Sequence, residues 1–190
     1  MSPESSRKTH SAPEGVKVYA DGSFYKQFNL GAWAYRVPVL GLAESGVGSG
    51  HSSKHFELQA AVLAISAADR ALGGGSAIHL FSDCSFTMRW IAELNERLAG
   101  KRHPKRFPQT EEGILGDLFA IMRRRRVRCR RANPTTPEHL RCHTEARRHL
   151  RAVINEHPDL RLKYLLACAN DQMKALVRRQ RDLTRSTSLV

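Results

Sequence analysis

The sequence predicts an α/β domain built on a five-stranded mixed sheet. A three-strand antiparallel meander is followed by parallel strands, with helices on both faces and an extra helix at the C-terminal end. Two observations carry this reading. Short β-branched or aromatic runs and segments with helical apolar spacing follow one another in the order βββ-α-β-α-α-β-α. The first three runs are joined by connections too short for a crossover, which makes them antiparallel; the later ones are separated by helices, which makes them parallel.

Residues 1–14, rich in Ser, Pro and charge, read as a disordered leader, residues 15–156 as the domain, and residues 157–190 as a helical extension. Val16 to Ala20 (VKVYA) predicts the first strand, closed by a turn at Asp21-Gly22-Ser23. Gly31–Val39 and Leu40–Gly48 supply the second and third strands, with Pro38 ending the second or lying at an edge. Ser52 or Ser53 caps a helix that runs to about Leu72, with Leu58, Val62, Ile65 and Ala68 on its apolar face and Gly73-Gly74-Gly75 stopping it. Ala77–Ser82 is a fourth strand ending at Asp83, and a helix follows over Ser85–Leu98. After the basic loop Gly100–Pro108 come a helix at Glu111–Met122, a fifth strand at Arg126–Arg131, and a helix from Thr135 or Thr136 that carries Leu140, Ala146, Leu150 and Val153. Beyond Pro158 an amphipathic helix places Leu162, Leu166, Ala169, Met173 and Leu176 on one stripe, expected to be packed, with a dimer seam as the other possibility.

The 190 residues carry 31 Lys plus Arg against 18 Asp plus Glu, a net charge of +13. Such a balance favours a polyanion, because a protein that neutralises phosphates releases their condensed counterions. Cys84, Cys129, Cys142 and Cys168 stand at no metal-ligand spacing, which disfavours a zinc ribbon, and suggest no disulfide framework. A reduced, cytoplasmic setting is the expectation. The longest small or apolar run, Ala60–Ala68, is too short to span a bilayer.

Three acids stand where the predicted elements converge: Asp21 at the end of the first strand, Glu57 near the start of the first long helix, and Asp83 at the end of the fourth strand. Each alone has an ordinary explanation, as a turn residue, a helix-start acid or an N-cap. Three carboxylates brought together repel unless a cation lies between them, and a hard divalent ion with oxygen ligands fits. Two such ions about 4 Å apart suit phosphodiester hydrolysis, one activating water and the other steadying the leaving oxygen.

Val16–Ser23 (VKVYADGS), Phe56–Ala61 (FELQAA) and Ile78–Ser85 (IHLFSDCS) resemble, in order, spacing and element, the three acidic motifs of type I ribonuclease H. The resemblance runs from about residue 16 to 155, with a final motif at Pro137–Arg151. It implies a ribonuclease H-like fold, with Asp21, Glu57 and Asp83 as ligands of Mg2+ or Mn2+, two ions per site. It also implies an endonuclease that cuts the RNA strand of RNA–DNA hybrids. The family's fourth acid falls at His143, and an asparagine of the same motif at His139. A neutral imidazole can ligate a metal, which would tilt preference toward Mn2+ and make His143 the fourth catalytic ligand. His139 and His143 share a helical face, an arrangement also found in zinc sites, but no third ligand stands at useful spacing.

Other positions depart from the family pattern. Asn133 stands where many members carry a mobile histidine, and asparagine cannot shuttle protons. Ser53 and Lys54, with His55, replace residues that touch the hybrid's minor groove; with Gly22 and Ser23 they remain able to meet sugar and phosphate. Lys101, Arg102, Lys105 and Arg106 occupy the place of a basic protrusion that grips the DNA strand. Seven arginines within Arg123–Arg131 must be exposed or paired, which places that strand at a sheet edge. Two rival readings stay open: another nuclease of the superfamily acting on junctions or structured nucleic acid, and a binding module that kept the fold without turnover. The favoured assembly is a monomer with no membrane association.

Overall fold

A strand whose partner pairs with it residue by residue does not stop at a turn-like tripeptide. In the computed structural model, which describes residues 15–73, 76–101 and 106–187 and side chains as far as Arg179, β1 runs Val16–Tyr25. It passes straight through Asp21-Gly22-Ser23. The expected turn there is corrected: β2 (Leu30–Val37) pairs antiparallel with β1 from Tyr19↔Arg36 to Tyr25↔Leu30, so Asp21 faces Ala34 across the ladder and Ser23 faces Ala32. The reversal comes later, in a short 3-10 turn at Lys26–Phe28 that closes on Asn29 with φ 49°. A second such turn at Pro38–Leu40 ends on Gly41 at φ 64°, a conformation that glycine adopts without strain, and starts β3 (Leu42–Ser49) two residues later than the sequence predicts.

The remaining elements follow the predicted order: α1 (Ser53–Ala71), β4 (Ile78–Ser82), α2 (Ser85–Leu98), α3 (Glu112–Met122), β5 (Val127–Arg131), α4 (Pro137–Glu156) and α5 (Pro158–Thr187). Among the described residues the sheet has five strands in the order β3-β2-β1-β4-β5. β4 lies parallel to β1, with Val16 opposite Ile78, and β5 lies parallel to β4, with Ile78 opposite Val127. This is the mixed sheet expected of a ribonuclease H-like fold.

Alternation along β1 divides the two faces. Val18 and Ala20 join a core with Tyr35, Val37, Ile78, Leu80 and residues of α1, α2 and α3 such as Leu58, Ile65, Ile91 and Leu118. The alanines of α1 (Ala60, Ala61, Ala64, Ala67 and Ala68) are buried and let that helix lie close on the sheet. On the other face α4 packs with Cys142 Sγ 3.5 Å from the carbonyl of Tyr19. β5 is an edge strand, and Arg128, Arg130 and Arg131 are exposed. Just before it, Arg124 and Arg125 converge on Asp69 near the end of α1, with Arg125 Nε donating at 2.6 Å and Arg124 Nη2 at 2.6 Å. That arrangement pins the α3–β5 connection to α1.

The chain divides into two compact units, residues 1–149 and 150–190. In the second, Leu162, Leu166, Met173 and Leu176 are all more than half exposed. Among the described residues no helix is long and apolar enough to cross a membrane. The expected N-terminal leader, residues 1–14, lies outside the described residues.

Candidate active site

β1 and β4 are neighbours, and their parallel pairing ends at Tyr19↔Phe81. The chain of β4 then leaves the sheet while β1 continues, so Asp21 and Asp83 come together where the two strands part. The buried Ser82 fixes this exit: its Oγ accepts a hydrogen bond from Cys84 N at 3.1 Å, and its carbonyl accepts one from Ala132 N at 3.0 Å. Asp21 is 2% exposed, whereas the Asp83 side chain is 48% exposed. One carboxylate is thus set into the protein and the other stands at its mouth.

Glu57 reaches the site because α1 approaches β1 without a side chain between them. Gly22 faces the helix, and a Cβ there would lie 2.5 Å from Glu57 N and 2.6 Å from the Phe56 carbonyl carbon. The Gly22 backbone N–H favours the charged Glu57 carboxylate, but only weakly against the effects that raise it. Glu57 Oε2 is buried and has no hydrogen-bond partner. Burial first, and then the charges of Asp21, Cys84 and Asp83, push the Glu57 carboxyl up to about 10. Burial likewise raises Asp21, a shift that His143 and His139 oppose and Asp83 reinforces. Such a crowded acidic centre, with a carboxylate oxygen left unpaired in the interior, fits a bound cation.

Both histidines of α4 enter this centre. His143 Nδ1 lies 2.9 Å from Asp21 Oδ2, so a proton on Nδ1 is donated to the carboxylate. His139 Nε2 lies 3.6 Å from Asp83 Oδ2. His139 is 3% exposed, and its Nδ1 has no hydrogen-bond partner. Asp21, Asp83 and His139 each offer a ligand atom, and the three atoms lie within 4.8 Å of one another. Sequence reasoning did not place His139 in this cluster. Its signal was the i, i+4 spacing with His143; the candidate ligand atoms beside it, those of Asp21 and Asp83, are near in space and not in sequence.

The residues expected to meet nucleic acid are less concentrated. Ser53 and Lys54 are exposed in the first turn of α1, and Lys54 Nζ lies 5.9 Å from the centre of the Phe86 ring. Ser23 is half-buried on β1 beyond Asp21, and Gly22 is occupied by the approach of α1. Lys101 and Arg106 are exposed at the two ends of the basic loop, while Arg102 and Lys105 lie outside the described residues. The far end of the loop is anchored by Phe107, which packs edge-on against Trp90 at 5.9 Å with the Arg97 guanidinium 4.9 Å from its ring centre. Asn133 serves the backbone: its Oδ1 accepts from Thr135 N at 3.0 Å and from Thr135 Oγ1 at 2.8 Å, and it shapes the turn into α4.

No curated protein matches the chain in a sequence search. The RNase H family model matches residues 13–154, which contain the whole meander, the acidic residues and nearly all of α4. The chain belongs to the RNase H family.

Proposed function

We propose that the protein is a divalent-metal-dependent endonuclease that hydrolyses the RNA strand of RNA–DNA hybrids, with Asp21, Glu57, Asp83, His139 and His143 as its centre. The observation that carries this reading is the convergence of Asp21, Asp83 and His139 within 4.8 Å, beside a Glu57 whose buried Oε2 has no hydrogen-bond partner. Membership of the RNase H family supports nuclease chemistry on hybrids.

Asp21, Glu57 and Asp83 supply hard oxygen ligands, and His139 and His143 supply nitrogen, a mixed set that suits Mn2+ at least as well as Mg2+. When bound, such ions supply an activated water and neutralise charge developing on the phosphate. The protein's own part is positional. His143 orients the Asp21 carboxylate through its 2.9 Å contact, and Gly22 sets the depth of Glu57. Glu57 gives up its proton when the centre is loaded, so ion binding tightens as pH rises. Ser23, Ser53 and Lys54 flank the centre and present hydroxyl and ammonium groups to the sugar–phosphate backbone. Lys101 and Arg106 extend the positive surface along the DNA strand.

The test is a panel of end-labelled substrates (hybrid, duplex DNA, duplex RNA and branched DNA) incubated with Mg2+ or Mn2+. Cleavage confined to the RNA of the hybrid supports the proposal. Cleavage of branched DNA instead assigns a different nuclease of the superfamily. Hybrid binding without cleavage by either ion assigns a non-catalytic module.

A further inference from the structure

Outside the acidic centre a second group of metal-ligating side chains comes together, and neither the family nor the proposed reaction accounts for it. His51 lies just before α1, His55 lies in its first turn, and Glu111 closes the short 3-10 turn Gln109–Glu111 that leads into α3. Their ligand atoms all lie within 4.8 Å of one another. His51 Nε2 is 2.9 Å from Glu111 Oε1, and His55 Nδ1 is 3.7 Å from the same oxygen. The two imidazole rings are 4.7 Å apart, centre to centre.

We propose that His51, His55 and Glu111 form a second metal site that takes a borderline-soft divalent cation of the Zn2+ class. Ligands held about 2.0–2.2 Å from a tetrahedral zinc lie roughly 3.3–3.5 Å from one another. The two observed nitrogen–oxygen separations bracket that value, so loading needs shifts well under an ångström for those pairs. Two further observations point to a ligand and away from an ordinary hydrogen bond. His55 Nδ1 is buried, has no hydrogen-bond partner, and is aimed at a carboxylate oxygen that His51 already engages. Glu111 is itself 4% exposed, and its other oxygen, Oε2, is held by the Thr110 hydroxyl, the kind of outer contact that orients a metal-binding carboxylate. Two imidazoles and one carboxylate leave a fourth position, and the half-exposed His51 side chain gives the cation access from solvent.

The nitrogen-rich donor set separates this site from the acidic centre. The acidic centre takes a hard ion; this one selects against Mg2+, which dehydrates reluctantly and prefers oxygen. A cation here ties the first turn of α1, which carries Ser53 and Lys54 and is followed directly by Glu57, to the segment that returns from the basic loop. The site thus acts as a positioning clamp for the helix that bears a catalytic acid, and its ligands are not catalytic residues.

Cobalt alone is the probe, because four-coordinate Co2+ with nitrogen ligands gives strong visible bands that six-coordinate Co2+ lacks. Full-length protein is stripped with a chelator, and an Asp21→Asn background weakens the acidic centre. Titration is expected to give four-coordinate bands saturating at a single equivalent. Both Glu111→Gln and His51→Ala should remove them and lower Co2+ affinity by about tenfold or more. His51→Ala alters a half-exposed side chain and keeps the test valid if Glu111→Gln does not fold. Zn2+ should displace the cobalt and raise the Tm of the Asp21→Asn protein but not that of its His51→Ala derivative. Absence of four-coordinate bands, or bands that survive His51→Ala, overturns the proposal.

Discussion

Replacing Glu57 by glutamine should stabilise the metal-free protein, and the gain should grow with pH. Burial and the neighbouring acids push the Glu57 carboxyl from an ordinary 4.5 up to about 10. A carboxyl raised on folding contributes stability that is fully present below 4.5 and is lost as pH rises toward 10. Each pH unit in that window costs about 1.4 kcal/mol, so about 3 kcal/mol is lost by pH ~7. Glutamine keeps the shape of the side chain and carries no titrating proton, so Glu57→Gln escapes this loss. Urea denaturation of chelator-treated protein at several pH values measures the difference. The variant should match wild type near pH ~4.5 and exceed it by about 1–3 kcal/mol near pH ~7, since Glu57 retains some access to water. Saturating Mn2+ should reverse the order, because only wild type presents the full ligand set. A difference that stays flat with pH, or a wild type that is the more stable form at neutral pH without metal, shows that folding does not raise the Glu57 carboxyl.

Three further perturbations bear on the scaffold of the site. Gly22→Ala sets a Cβ 2.5 Å from the backbone of Glu57 and forces α1 outward; denaturation should show a loss of about 1–3 kcal/mol, and single-turnover kinetics a drop of about a hundredfold, as expected for a displacement near 1 Å. His143→Asp restores the carboxylate usual in the family and should move the Mn2+-to-Mg2+ activity ratio toward Mg2+ by about tenfold, measured as initial rates at matched ion concentration. Asp69→Asn should cost about 3 kcal/mol or more, because it leaves the Arg125 guanidinium buried without its partner. Burial pushes Asp69 up, but hydrogen bonds from Arg125 and Arg124 outweigh it and hold it below the usual carboxylate range. The wild-type advantage is therefore present above pH 3.8 and disappears as acid protonates Asp69, which denaturation at low pH will reveal.

The elements were legible where local chemistry decides them. Ser52 caps α1 through a hydrogen bond from His55 N, as the serine before an apolar helical pattern predicts. Ser85–Leu98 emerges with the predicted bounds, and the arginine-rich strand lies at the edge, where its side chains reach water. The failures come from partners distant in sequence. Asp21-Gly22-Ser23 has turn composition, yet pairing with β2 holds it extended, and its glycine serves the approach of α1. His139 has no third candidate ligand at useful spacing along the chain, while Asp83, 56 positions earlier, lies 3.6 Å away in space. His51, His55 and Glu111 are likewise joined by tertiary contact, with Glu111 sixty positions from His51. The acidic triad itself was visible because a strand end, a helix start and a strand end could converge in only a few ways.

Cleavage of a hybrid labelled on its RNA strand, in Mn2+ and then in chelator, by wild type and by Asp21→Asn, tests the central claim most directly. Internal cuts in the RNA by wild type with Mn2+, absent with chelator and reduced at least about a hundredfold in Asp21→Asn, are the predicted result. Intact RNA with folded wild-type protein, or equal cleavage by wild type and Asp21→Asn, contradicts it.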